Sequence, residues 1–260
     1  MLLLLLAFAF PQWKPHFSFL DNPVANEMLA LRWLHLIFGI VWIGLLYFFN
    51  LVLTPAMRAC DPQLRVRIYP ELMPRAMAWF RWSALITVLV GLRYFQLHLA
   101  ADARNSGQPG LALQWLGWWL LVWLTAYVFI YALQLPAKGF VNSAWVRTIG
   151  ISVVVVAASW LVLALNGGSV VSNPHLAISI GGGLGFVMLL NTWGVVWRVQ
   201  KKLIRMARTA AEQGGPMPAE AERLQRWNYL AARASFWLSF PMLFFMAAAS
   251  HYPFLSTIPR

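Results

Sequence analysis

The chain has 260 residues, 60% hydrophobic and only 11% charged, with a formal net charge of +12. Soluble domains carry about 25% charged residues, so the composition excludes an ordinary soluble domain. One cysteine, Cys60, excludes an intrachain disulfide, a cysteine zinc cluster and a covalent C-x-x-C-H haem attachment.

Several apolar runs reach the ~20 residues that cross a bilayer. The fold expected is all-α: a polytopic helix bundle in lipid, with about six transmembrane helices. The chain opens MLLLLLAFAFPQWKP, without the basic leader of a signal peptide. Ten apolar residues make only ~15 Å of helix. Residues 1–27 therefore read as an external segment with a short stretch embedded in one leaflet. The membrane domain, 28–250, holds spans expected at about 28–54, 77–98, 114–134, 146–166, 175–197 and 230–250. Between them lie breaks with turn chemistry, such as TPAMRACDP, RNSGQPG, LPAKG, NGGSVVSNP and EQGGPMP. Residues 251–260 form a tail.

The loops 55–76, 135–145 and 198–229, with their flanks, collect 15 of the 20 basic residues. The positive-inside rule makes that face cytoplasmic and both termini external, N-out and C-out. In a bacterium this is the inner membrane, with the periplasm outside. The stretch RVQKKLIRMAR then reads as a flank touching anionic headgroups and not as a nucleic-acid site.

On this topology the histidines fall on one side. His16 precedes the first span, and His35 lies about two turns into it. His98 closes the second span, His175 opens the fifth and His251 closes the sixth. Four helices thus carry an imidazole to the external half of the membrane. Ionisable groups there are expensive and mark function by default. Facing helices of a bundle are where cofactor sites are built. With no attachment cysteines, the group expected is non-covalent haem b on axial histidines, drawn from His35, His98, His175 and His251.

Gly39 lies one turn below His35 on the same face and offers room for a flat ring, while Arg32, one turn outward, offers a partner for a propionate. Gly181 and Gly182 open the run GGGLG at a similar depth. They read either as a further cradle or as close helix packing of the small-xxx-small kind. Asn191, inside the fifth span, reads as an amide bonding across helices. No expected span carries Asp and no G-x-S-x-G occurs, so serine hydrolase chemistry is not indicated.

The stretches WLHLIFGIVWIGLLYFF, ELMPRAMAWFRWSALITVLVGL, NTWGVVWRVQKKL and FPMLFFMAAASHYPF together resemble the membrane domain of the bacterial urate hydroxylase family, also called the urate oxidase N-terminal domain. The most specific pieces are H-x-x-x-G-x-x-W-x-G, from His35 through Gly39 and Trp42 to Gly44, and P-x-x-F-x-M-x-x-x-x-H-Y-P, from Pro241 to Pro253. The resemblance implies urate oxidation, a step of purine catabolism, with electrons passed to a cytochrome c. Relatives carry that cytochrome domain after the last span. This sequence reaches Arg260 without C-x-x-C-H, so a separate external cytochrome c or another acceptor is expected to take the electrons. The resemblance also ranks His175 and His251 ahead of His98 as partners of His35. The alternative is a non-catalytic accessory subunit of a larger respiratory or photosynthetic electron-transfer complex.

Overall fold

The computed structural model describes residues 21–135, 143–167 and 171–255. Among these the protein is all-α, with six helices long and apolar enough to cross a membrane. They are α1 (Pro23–Ala59), α2 (Pro62–Asn105), α3 (Leu111–Gln134), α4 (Ala144–Asn166), α5 (Asn173–Gln213) and α6 (Glu220–His251). His16 and the short apolar stretch at the start lie outside the described residues.

Three helices begin with the same chemistry. Asn22, Asp61 and Ser172 each accept hydrogen bonds from backbone N–H groups of the first turn, and a proline lies in that turn. The side chain satisfies donors that have no helical partner, and proline has no N–H to lose there.

Consecutive helices run antiparallel, so their ends gather at two poles. At one pole Arg93 on α2 pairs with Glu27 on α1, at 2.7 and 3.1 Å. There too Asn166 at the end of α4 donates to the Trp115 carbonyl of α3 at 3.2 Å. Asn173 at the start of α5 donates to the Ala248 and Ala249 carbonyls at the end of α6 and to that of Tyr252 just beyond it, and its side-chain Oδ1 accepts from the Leu255 N–H. His98, His175 and His251 lie at this pole, with His35 deeper in α1. The opposite pole carries most of the arginines.

The central helix is α5. Its most apolar window is 78% buried inside the protein, against 11–33% for the others. A helix that is apolar all round belongs inside other helices, and α5 packs against α2, α3, α4 and α6. Elsewhere large side chains such as Trp33, Ile40, Leu113, Trp145, Val156 and Trp160 are exposed, which fits a surface solvated by hydrocarbon.

Two segments read as loops are mostly helix. The stretch 55–76 is helical except around Cys60 and Asp61, because α2 begins at Pro62 and passes through Pro70 and Pro74. The stretch 198–229 is helical to Gln213 and again from Glu220. In the first of these stretches each proline removes one backbone hydrogen bond from a helix, too little to stop one this long. In the second, Val199, Gln200, Leu203, Ala207 and Ala210 form a buried stripe at helical spacing. At 44 residues, α2 is ~66 Å long. It outruns a ~30 Å hydrocarbon core, so α2, α5 and α6 continue together beyond it at the arginine-rich pole.

Two turns are π-helical, Phe48–Leu53 within α1 and Thr192–Val196 within α5. A widened turn loosens the regular ladder, and nearby polar side chains meet carbonyls in it and just before it. Asn50 donates to Leu46 O at 2.9 Å, Thr54 to Phe49 O at 2.7 Å and Thr192 to Met188 O at 2.9 Å.

Candidate functional site

The histidine-bearing pole is organised by one face of α2. Thr87, Gly91, His98 and Asp102 follow at spacings of four, seven and four residues and so line a single stripe.

His35 of α1 meets this stripe at Gly91. Its Nδ1 donates to the Thr87 carbonyl at 2.9 Å. A Cβ on residue 91 would stand 2.8 Å from the imidazole Cε1 and 2.9 Å from Nδ1. Glycine is therefore what lets the ring lie flat against the α2 backbone. Because a carbonyl only accepts, Nδ1 carries the proton, and Nε2 of a neutral ring is left with its lone pair. Trp42, two turns along α1, is buried, and its indole N–H has no partner among the described residues.

His98 lies seven residues beyond Gly91, ~10.5 Å further along the axis. Its ring meets Tyr94 edge-on at 4.8 Å, and its Nε2 is buried without a partner among the described residues. The Tyr94 hydroxyl accepts from Arg32 Nη2 at 2.6 Å. Arg32 thus stands beside His98, and its side chain is exposed at the edge of the cluster.

Asp102 and His175 complete the arrangement. His175 is fully buried, between Trp115 at 4.9 Å and Phe95 at 5.9 Å between ring centres. Its Nδ1 donates to Asp102 Oδ2 at 3.0 Å. The same oxygen accepts from the Ser172 N–H and hydroxyl, both at 2.9 Å. Three donors on one oxygen fix the carboxylate, and the carboxylate fixes the imidazole. His175 Nε2 is then left buried without a partner among the described residues. A buried polar atom without a partner is rare and costs ~1–3 kcal/mol. His98 also lies within electrostatic reach of Asp102, Arg32 and His175.

The other expected site residues are placed differently. His251 is exposed, and among the described residues it bonds only the Ala247 carbonyl of its own helix. A Cβ at Gly39 would meet the Thr87 methyl at 3.7 Å, an ordinary contact, so α2 lies over this face and the approach does not depend on glycine. A Cβ at Gly181 would fall 2.6 Å from the Met246 methyl and 3.1 Å from the Met242 carbonyl. That glycine seats α5 on α6, the close-packing alternative raised by the sequence. Gly182 faces Ile178, Trp119 and Met246. Gly183 gives its place to the Trp123 indole. With no side chain at 183, Trp123 Nε1 reaches the Ser179 carbonyl at 3.0 Å, where Trp119 Nε1 also donates at 2.9 Å. The glycine run thus joins α5 to α3 and α6, and protein atoms occupy the faces read as a ring cradle. Asn191 bonds across helices as expected, to Ala231 O and Ser235 Oγ of α6, each at 3.2 Å.

Sequence reasoning missed two positions. Asp102 lies beyond the expected second span, 77–98, yet the helix continues to Asn105 and carries it. Gly91 was unremarked within the apolar run. A lone glycine opposite a histidine of the neighbouring helix was the available signal.

Among the described residues no three or more His, Cys, Asp or Glu side chains converge to hold a metal ion. The chain matches no family model, no curated protein and no solved structure.

Proposed function

We propose that this protein is a membrane redox protein that binds b-type haem at its histidine-bearing pole, where His175 would hold the iron. The observation that carries the reading is the His175 imidazole. It is fully buried, its Nδ1 is committed to Asp102, and its Nε2 has no partner among the described residues. Metal-bound histidines characteristically donate their other ring nitrogen to a carboxylate or carbonyl. Haem supplies four of the iron ligands itself, so it needs only one or two protein donors. His98, whose Nε2 is likewise buried without a partner among the described residues, would be the second donor. His35 is the rival, since its Nδ1 is committed to the Thr87 carbonyl.

Each neighbour has a task in this reading. Asp102 holds the imidazole orientation, and the two Ser172 donors hold Asp102. Phe95 and Trp115 keep water from the ring. Arg32, exposed beside His98, offers a cation to a propionate. When bound, haem supplies a one-electron couple.

The resemblance to the urate hydroxylase family supports urate as electron donor and an external cytochrome c as acceptor. The distribution of basic residues supports N-out and C-out in a bacterial inner membrane. The test is purification in mild detergent, a reduced-minus-oxidised spectrum with pyridine haemochrome, and urate-dependent reduction of added cytochrome c. Haem bands with urate-dependent reduction support both parts. Haem bands without urate dependence leave a haem-binding accessory subunit. A colourless protein refutes the haem reading.

A further inference from the structure

A cavity of about 230 Å³ opens at the arginine-rich pole, between α1, α2, α5 and α6. It lies at the far end of the bundle from the histidines. Its walls include Phe49, Asn50 and Leu53 from the first π-helical turn and Val196 from the second. Such turns are uncommon and recur at functional sites. Here two of them, on different helices, open onto one space.

The lining has a definite chemistry. It contains Arg58 and Arg65 and no Asp or Glu. Arg65 donates to the Met57 carbonyl at 3.3 Å, and Arg58 lies 5.0 Å from the Tyr229 ring centre. Neither is paired with a carboxylate among the described residues. Asn228 also lines the space, and its Oδ1 is buried without a partner there. Tyr69 on α2 donates to Gln200 on α5 at 2.5 Å, tying two polar walls together. Val66, whose carbonyl loses its helical donor to Pro70, borders the space as well. The remaining wall is apolar and sulfur-rich, with Met73 and Met77 among its residues. Methionine adapts its shape to flat or irregular ligands.

We propose that this cavity binds a small organic anion that also carries an N–H or O–H donor. Its acid group lies at Arg58 and Arg65, its donor meets Asn228 Oδ1, and its apolar body rests on the methionines. The volume falls below the ~300–1,000 Å³ of pockets for drug-sized ligands, which limits the bound portion to a small acid. The same chemistry is presented by a free solute and by the headgroup of an anionic phospholipid with free hydroxyls.

The probe is indole-3-carboxylate, which has both an acid and an N–H. It is titrated into the purified full-length protein in neutral detergent and followed by calorimetry. Saturable binding is expected, with neutral indole and 1-methylindole-3-carboxylate each at least about tenfold weaker. Arg65→Gln and Asn228→Leu should each weaken the probe about tenfold while the unfolding midpoint without ligand stays put. Repeating the titration in nanodiscs distinguishes the sources. Loss of probe binding in phosphatidylglycerol but not phosphatidylcholine makes a lipid headgroup the natural occupant, and equal binding makes it a free solute. No saturable binding at millimolar probe, or equal binding of neutral indole, overturns the proposal. The titration is independent of haem content, so this inference and the haem reading fail separately.

Discussion

Gly91→Ala probes the seat of His35 with a single methyl group. The added Cβ would stand 2.8 Å from Cε1 and 2.9 Å from Nδ1. Carbon atoms settle at ~3.5–4.0 Å, so the ring must retreat by about 0.7 Å or more. A retreat along the contact takes the 2.9 Å bond to the Thr87 carbonyl out to a separation at which no hydrogen bond remains. Overpacking costs ~1–3 kcal/mol and the lost bond ~0.5–1.5 kcal/mol. Alanine recovers up to about 1 kcal/mol of helix propensity. The net expectation is a loss of roughly 1–3 kcal/mol. Unfolding in mixed micelles measures it, and a double-mutant cycle assigns it. In a His35→Ala background there is no ring to strike, so Gly91→Ala should be neutral or slightly stabilising. An equal loss in both backgrounds would refute the contact as the cause.

Gly183→Ala should be more severe, because its methyl would enter the Trp123 indole and break the bond to Ser179; loss of monodisperse protein on size exclusion checks it. Asp102→Leu should free the Ser172 donors and the His175 ring together, lowering the unfolding midpoint. Asp102→Asn, which keeps an acceptor for Nδ1, should fall between Leu and the parent in the same assay. Asn191→Leu removes two bonds to α6. Cross-helix polar bonds in membranes average ~0.6 kcal/mol with a maximum near ~1.7, so the mixed-micelle loss should be about 1 kcal/mol and stay under about 3.4 kcal/mol.

The six helices were legible because hydrocarbon demands length and apolarity, and both are written in consecutive residues. Their ends were less so. The 55–76 segment carries charges and two prolines, which mimic a loop, yet it is helix beyond the membrane thickness. Asp102 was hidden by that difficulty, since a span drawn to residue 98 excludes it. The histidines were legible as a group because topology sorted them to one pole. Their pairing was not, because Nε2 availability depends on rotamers and on partners seventy residues away. The glycines were ambiguous for a physical reason: a missing side chain admits a cofactor and a neighbouring helix equally well. Only the positions of Met246, Phe245 and Trp123 show which one took the space. The π-helical turns leave no mark in hydropathy, so the cavity they open was out of reach.

The most direct test of the haem reading is haem per protein, by pyridine haemochrome, for the parent, His175→Ala and His251→Ala, each checked for a monodisperse fold. His175→Ala should lose most of its haem or change its spectrum, while His251→Ala, altering an exposed ring, should match the parent. A folded His175→Ala with full haem and an unchanged spectrum would contradict the assignment.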